Sequence, residues 1–166
     1  MIYSILIYGV GFVVALVLVV YGIGSVLPVE HTSSLEKTFP VPAKTVYALI
    51  RNVREYPSWR SNLKSIEEIS SVSWKETDSN RETTTYSFVR DEKDRLLESK
   101  IMDEDKPFGG SWTFELIPVD GGVKLEITEN GRVFSPIFRF FSKYVFGHTA
   151  TIRAYLEQVD RRIQGP

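Results

Sequence analysis

The sequence predicts an α+β fold in which an antiparallel sheet curves around one long C-terminal helix, with a single apolar helix in front. Three observations carry that expectation. Residues 2–27 form an uncharged, mostly apolar run. Between residues 63 and 129, strand-like runs alternate with clusters of turn-prone residues. From Phe134 to Ile163, apolar residues recur every three or four positions, the spacing of one helix face. The sheet and the helix each present an apolar face, and each can cover the other's.

The N-terminal run, IYSILIYGVGFVVALVLVVYGIGSVL, exceeds the roughly 20 apolar residues that cross a bilayer as a helix. Tyr3 and Tyr21 bracket its most apolar part. They would lie about 27 Å apart along a helix, where aromatic rings favour the two interfaces. Pro28 then stops the helix. The rival reading, a cleaved signal peptide, needs a basic n-region and a shorter apolar core. No Lys or Arg precedes this run, so the expectation is a retained anchor over residues 1–29 and a soluble domain over 30–166. Gly11 and Ala15 make a small-xxx-small pair that could bring two such helices together. Lys37 and Lys44 follow the span, and the positive-inside tendency then puts the domain of this single-pass protein on the cytoplasmic side.

His31–Phe39 reads as a strand ended by Pro40 and Pro42, with Pro42 suited to the first position of a helix. Val46, Leu49 and Ile50 give that helix its stripe. Asn52 is placed to cap a second short helix, broken at Pro57. Strands follow at Leu63–Ile69, Val72–Thr77, Glu82–Arg90, Arg95–Asp103, Gly110–Pro118 and Val123–Glu129. Asp120-Gly121 is the strongest hairpin signal, because both central positions of a type I′ turn want positive φ. Trp112, Phe114 and Leu116 share one face, as do Val123, Leu125 and Ile127, Tyr86 and Phe88, and Leu97, Ser99 and Ile101. Such alternation marks half-buried antiparallel strands. Asp103–Gly110 is expected to be a mobile rim, with charged residues, Pro107 and a glycine pair. Phe108, apolar within it, is either tucked into the core or laid over an opening.

The last helix carries Ile137, Phe141, Tyr144, His148, Ile152, Tyr155, Val159 and Ile163 on its stripe. As a single helix it would span over ~40 Å. Gly147-His148-Thr149 interrupts the stripe with small and polar residues. Either the helix kinks or packs closely there, or its face looks into a space rather than a filled core.

Several motifs together resemble the START-related SRPBCC superfamily, in its polyketide cyclase/dehydrase-like branch. They are Pro-Val-Pro-Ala-Lys-Thr-Val-Tyr (40–47), Tyr56-Pro57-Ser58-Trp59, Pro107-Phe108-Gly109-Gly110-Ser111-Trp112 and Thr128-Glu129-Asn130-Gly131-Arg132-Val133. The resemblance covers roughly His31 to Ile163. It implies a helix-grip fold with a cavity between sheet and long helix, usually for a hydrophobic ligand. The N-terminal span is not part of that pattern.

Composition narrows the function. A formal net charge of -1 provides no broad basic field for nucleic acid. With no cysteine there is no thiol nucleophile and no zinc–cysteine site. Two distant histidines make neither a nucleophilic triad nor a metal-ligand spacing, and no phosphate loop occurs. No metal, cofactor or catalytic set is therefore expected. His31 reads as solvated.

The cavity candidates are Trp59, Tyr86, Phe88, Phe108, Trp112, Phe114, Glu129, Tyr144, His148, Ile152 and Tyr155. The aromatic ones serve equally as core packing. Glu129 continues an inward face and is either paired, at a solvated strand end, or polar at the cavity mouth. The functional expectation is a membrane-anchored domain holding a lipid, quinone or polyketide-like molecule, its partners the bilayer and that apolar molecule. Two alternatives stay open. One is a cyclase or dehydratase using Glu129 or His148 as acid/base. The other is a ligand-free regulatory protein with an unknown protein partner.

Overall fold

The computed structural model describes residues 2–165. Helix α1 (Ile2–Val26) leads into strand β1 (Glu30–Phe39), helix α2 (Ala43–Arg51), a 3-10 turn (Val53–Glu55) and helix α3 (Tyr56–Trp59). Six strands follow: β2 (Leu63–Glu68), β3 (Ser73–Asp78), β4 (Thr83–Glu92), β5 (Leu96–Ile101), β6 (Phe108–Val119) and β7 (Gly122–Val133). The chain ends in α4 (Pro136–Phe141), a π turn (Ser142–Phe146) and α5 (Ala150–Gln164).

All seven strands form one antiparallel sheet in the order β1-β7-β6-β5-β4-β3-β2. Each expected strand is present, and the alternation that marks it sets which side chains face inward. Register carries the inward row across the sheet. Leu97 faces Phe114, which faces Ile127, which faces Leu35. Nearer the other end Ser99, Trp112, Glu129 and Ser33 line up in the same way. The core lies between this face and α2, α3 and α5. Phe39, Ile50, Leu97, Leu116, Leu125, Ile127, Ile152 and Val159 are fully buried there.

The Asp120-Gly121 hairpin forms as a two-residue loop between Val119 and Gly122. Of its two central residues only Gly121 takes positive φ, so the turn is not type I′. The β1 terminus explains the tight geometry beside it, because a Cβ on Gly122 would collide with the Phe39 carbonyl. Pro42 sits one position before α2 rather than at its first residue, and Asn52 makes no side-chain cap. The expected rim at Asp103–Gly110 is shorter than anticipated, since β6 begins at Phe108.

The last helix is not a single rod; it breaks at Gly147-His148-Thr149, the first of the two alternatives that its interrupted stripe left open. It is two helices, not one. Gly147 adopts φ 76°, a left-handed conformation that glycine reaches without the Cβ penalty, and this ends the π turn and redirects the chain. Only the second half grips the core, through Ile152, Tyr155, Leu156, Val159 and Ile163. In the first half Ile137, Phe141 and Tyr144 are exposed.

Helix α1 has the length and apolarity of a membrane span or of a signal sequence over Leu6–Val26. Its described side chains are exposed as far as Val19. Near its end Gly24 is buried and Val20 half-buried, and there α4 crosses it. A Cβ on Gly24 would collide with the Pro136 carbonyl. The Arg139 guanidinium donates to the Leu27 carbonyl at 2.6 Å, which ties the end of α1 to α4.

Candidate functional site

Between the sheet and α5 lies a cavity of about 80 Å3, walled by Tyr56, Trp74, Tyr86, Trp112, Phe114, Ile152 and Tyr155. Outward it adjoins a larger space of about 440 Å3, and Arg60, Glu76, Tyr86, Trp112 and Thr151 border both. Phe108, Gly109, Glu129 and Arg132 rim the outer part. The inner chamber alone holds little more than water, whereas the outer part reaches the roughly 300–1,000 Å3 of ligand pockets.

The aromatic wall follows from strand register. Trp74 pairs with Tyr86 across β3 and β4, and their rings stack at 5.7 Å. Tyr86 leans on Trp112 at 6.0 Å. From the helix side, Tyr155 meets Phe114 at 5.4 Å and Trp59 at 5.6 Å. Most of these contacts are edge-on or tilted, the arrangements aromatic quadrupoles favour.

One charged pair interrupts this wall. Arg60, just after α3, donates to Glu76 of β3 at 2.8 Å, and their side chains are only 14% and 8% exposed. The Trp74 indole donates to the same carboxylate oxygen at 3.1 Å. The guanidinium also lies 4.9 Å from the centre of the Tyr56 ring and 5.3 Å from that of Tyr155. Burial alone would lower Arg60, but the Glu76 carboxylate outweighs it and the group is held above its ordinary value. Burial pushes the Tyr155 phenol up to about 12, so it stays a neutral hydroxyl at physiological pH. Its oxygen is buried without a hydrogen-bond partner, as is Arg60 Nε.

A second polar group sits nearer α1. The His31 and His148 rings stack with centroids 4.2 Å apart. His31 lies over Gly131, where a Cβ would strike its ring, and His31 Nε2 is 3.8 Å from Glu129 Oε1. The Ser142 hydroxyl and His148 Nδ1 are 3.2 Å apart. Burial lowers His31, and the neighbouring His148 adds to that. Burial raises the Glu129 carboxyl, with Trp112 opposing part of the rise. Glu129 Oε2 has no partner. Among the described residues no group of three or more His, Asp or Glu side chains is placed to hold a metal ion.

The candidates therefore separate. Tyr86, Trp112, Phe114, Ile152 and Tyr155 line the inner cavity. Phe108 and Glu129 stand at its mouth. Trp59 and Phe88 are buried core residues behind the wall. His148 is on the loop after Gly147 and borders only outer spaces, against His31. Tyr144 is 57% exposed and borders none of these spaces, because the break at Gly147 turns its helix away. His31 is packed rather than solvated. The sequence reading missed Tyr56, Arg60, Trp74 and Glu76. Glu76 did leave a signal, since two residues after Trp74 it shares that residue's inward face.

An antiparallel sheet closed by a C-terminal helix, with a cavity between them, defines a START-like helix-grip domain. The family model for polyketide cyclase / dehydrase and lipid transport matches residues 30–164, and the chain belongs to that family. Solved structures share the fold. A START superfamily protein from Mycobacterium smegmatis aligns with TM-score 0.66 at 11% identity, over 81% of this chain and 97% of its own. Norcoclaurine synthase from Thalictrum flavum aligns with TM-score 0.64 at 11% identity, over 83% and 88%. The di-domain ARO/CYC StfQ of the steffimycin biosynthetic pathway aligns with TM-score 0.65 at 11% identity, over 82% of this chain and 52% of that one. Comparison with curated protein sequences gives no match.

Proposed function

We propose that the protein is a membrane-anchored binding domain, residues 30–166 holding a hydrophobic small molecule between sheet and α5 while residues 1–29 tether it to the bilayer. The observation that carries this reading is the aromatic cavity, with a buried Arg60–Glu76 pair on its wall, adjoining the larger outer space. The aromatic surface suits an apolar body. The Arg60–Glu76 pair on that wall suits a carbonyl or hydroxyl on the ligand, as in a quinone, a polyketide-like ring or a lipid headgroup. The family's description covers lipid transport as well as polyketide cyclisation, and the uncharged α1 supports the anchor.

The test is solvent extraction of the purified full chain followed by mass spectrometry. It is paired with titration of ubiquinone or fatty acid while following the fluorescence of Trp59, Trp74 and Trp112. A copurified apolar molecule, or saturable quenching, is expected. A chain that carries none and takes up none refutes the reading. The raised Glu129 carboxyl at the mouth favours a second reading, a cyclase or dehydratase with Glu129 as its acid/base group. Turnover of the bound compound that is lost in Glu129→Gln would select it.

A further inference from the structure

We propose that residues 134–146 are a second membrane element, lying in the headgroup layer of an anionic leaflet beside the end of α1 and holding the outer mouth of the cavity against lipid. The inference rests on the reading of α1 as a span. Within this segment Phe134, Phe138, Tyr144, Val145 and Phe146 are exposed. Arg139 and Lys143 are its charged residues, and it contains no acid. Lys143 Nζ lies 5.5 Å from the centre of the Tyr144 ring. An uncovered aromatic surface studded with basic residues is the composition of an interfacial helix.

Depth follows from the contact with α1. Twenty-five helical residues span ~37 Å against a hydrocarbon core of about 30 Å. A centred span then leaves ~3–4 Å of helix in the headgroup layer at each end. Gly24, where Pro136 touches, is ~3 Å from the helix end at Val26. The contact therefore falls at the boundary between headgroups and acyl chains. Arg139, bonded to the Leu27 carbonyl, holds α4 at that level.

Beside it is a space of about 470 Å3, bordered by Phe108, Glu129, Phe138, Phe141, Phe146 and His148. Phe108, Glu129 and Thr151 also border the outer part of the main cavity, so an apolar molecule leaving the leaflet would pass along this space to the cavity mouth. A second copy of the chain fits this surface less well. A twofold contact would join two copies of a segment whose only charges, Arg139 and Lys143, are both positive, with no acid on either side to offset them.

The chain has no cysteine, so single cysteines report position cleanly. Full-length Phe138→Cys, Phe146→Cys, Val14→Cys and Lys93→Cys, each carrying a nitrobenzoxadiazole label, are reconstituted in vesicles of phosphatidylcholine mixed with phosphatidylglycerol. Labels at 138 and 146 should be quenched by shallow nitroxide lipids and be several-fold less accessible to iodide than the label at 93. The label at 14 should respond to deep nitroxides. Adding Lys143→Glu should reduce lipid quenching at 138 and 146 while tryptophan fluorescence stays unchanged. If 138 and 146 behave like 93 while 14 lies in lipid, the inference fails and the anchor stands. If 14 is aqueous too, both fail. Shielding of 138 and 146 from both quenchers would mean a protein covers the segment, which also overturns the proposal. None of these readouts depends on whether the cavity holds a ligand.

Discussion

Arg60 and Glu76 allow a sharp test of how the cavity is held. Removing one member of a buried ion pair costs about 3–5 kcal/mol, because the other charge is left uncompensated. The two losses should differ here. In Glu76→Gln the guanidinium keeps its places over Tyr56 and Tyr155, worth roughly 0.5–2 kcal/mol. The Gln oxygen can still accept from the Trp74 indole. The expected cost is near the low end, about 3 kcal/mol. In Arg60→Met the carboxylate keeps only the Trp74 donor, and the cost should approach about 5 kcal/mol at neutral pH. That second loss is pH-dependent. An unpaired buried carboxylate has its folded pKa raised, so its penalty grows as pH rises from the unfolded value through the folded one and shrinks again in acid.

The double variant Arg60→Met/Glu76→Leu leaves no buried charge and should lie within about 1 kcal/mol of the parent. It should nonetheless bind ligand about 10- to 100-fold more weakly, since a hydrogen bond to a charged group contributes about 1.5–3 kcal/mol. Urea unfolding of the detergent-solubilised full chain, followed by the fluorescence of its three tryptophans, measures all three variants. Single variants that each cost under about 1 kcal/mol, in the range of exposed pairs, would refute the argument. They would mean that water reaches the pair and that the wall is not a dry polar anchor.

Four further outcomes are expected. Gly131→Ala would drive a methyl into the His31 ring and should cost about 1–3 kcal/mol by overpacking; adding His31→Ala should recover most of it in a thermal melt. Glu129, raised from 4.5, binds its proton more tightly folded than unfolded, so stability should fall as pH rises from 4.5 through the folded value. Glu129→Gln should remove that slope. His31 is lowered from 6.5 and contributes the opposite slope, stability being lost as pH falls below 6.5 through its folded value, a slope that His31→Ala should abolish. Residues 30–166 without α1 should fold alone and keep the parent's far-ultraviolet signature of sheet and α5; an unfolded product would make α1 part of the core.

The sheet was legible because its inward face has period two and its turns carry their own chemistry. Val123, Leu125 and Ile127 state which face is buried, and the registers with β1 and β6 follow. The cavity wall was only half legible. Its aromatic members announce themselves by size and alternation. Arg60 does not, because it follows a four-residue helix and meets Glu76 from across the chain. His31 was misjudged for a related reason. A histidine just after an apolar run reads as solvated, yet β1 pairs with β7 and brings it over Gly131, the one residue type there that leaves room for the ring.

The exposure of the first half of the last helix was not legible, for a more general reason. A helical stripe reports which residues share a face, and says nothing of what that face touches. Ile137, Phe141 and Tyr144 keep the same spacing as Ile152, Tyr155 and Val159, so the period does not part the halves, and only the interruption at Gly147-His148-Thr149 marks the break. What distinguishes the halves is outside the period. The second half has charged residues, Arg153, Glu157, Asp160 and Arg161, opposite its apolar stripe, as a helix between core and water must. The first half has aromatic residues on nearly every side, with Phe134, Phe138, Phe140 and Phe146 lying off the stripe. Arg139 and Lys143 are its only charges, and its exposed aromatic surface fits the interfacial layer proposed above. The two halves were therefore selected for different surroundings, and a glycine at their junction is what lets one chain serve both.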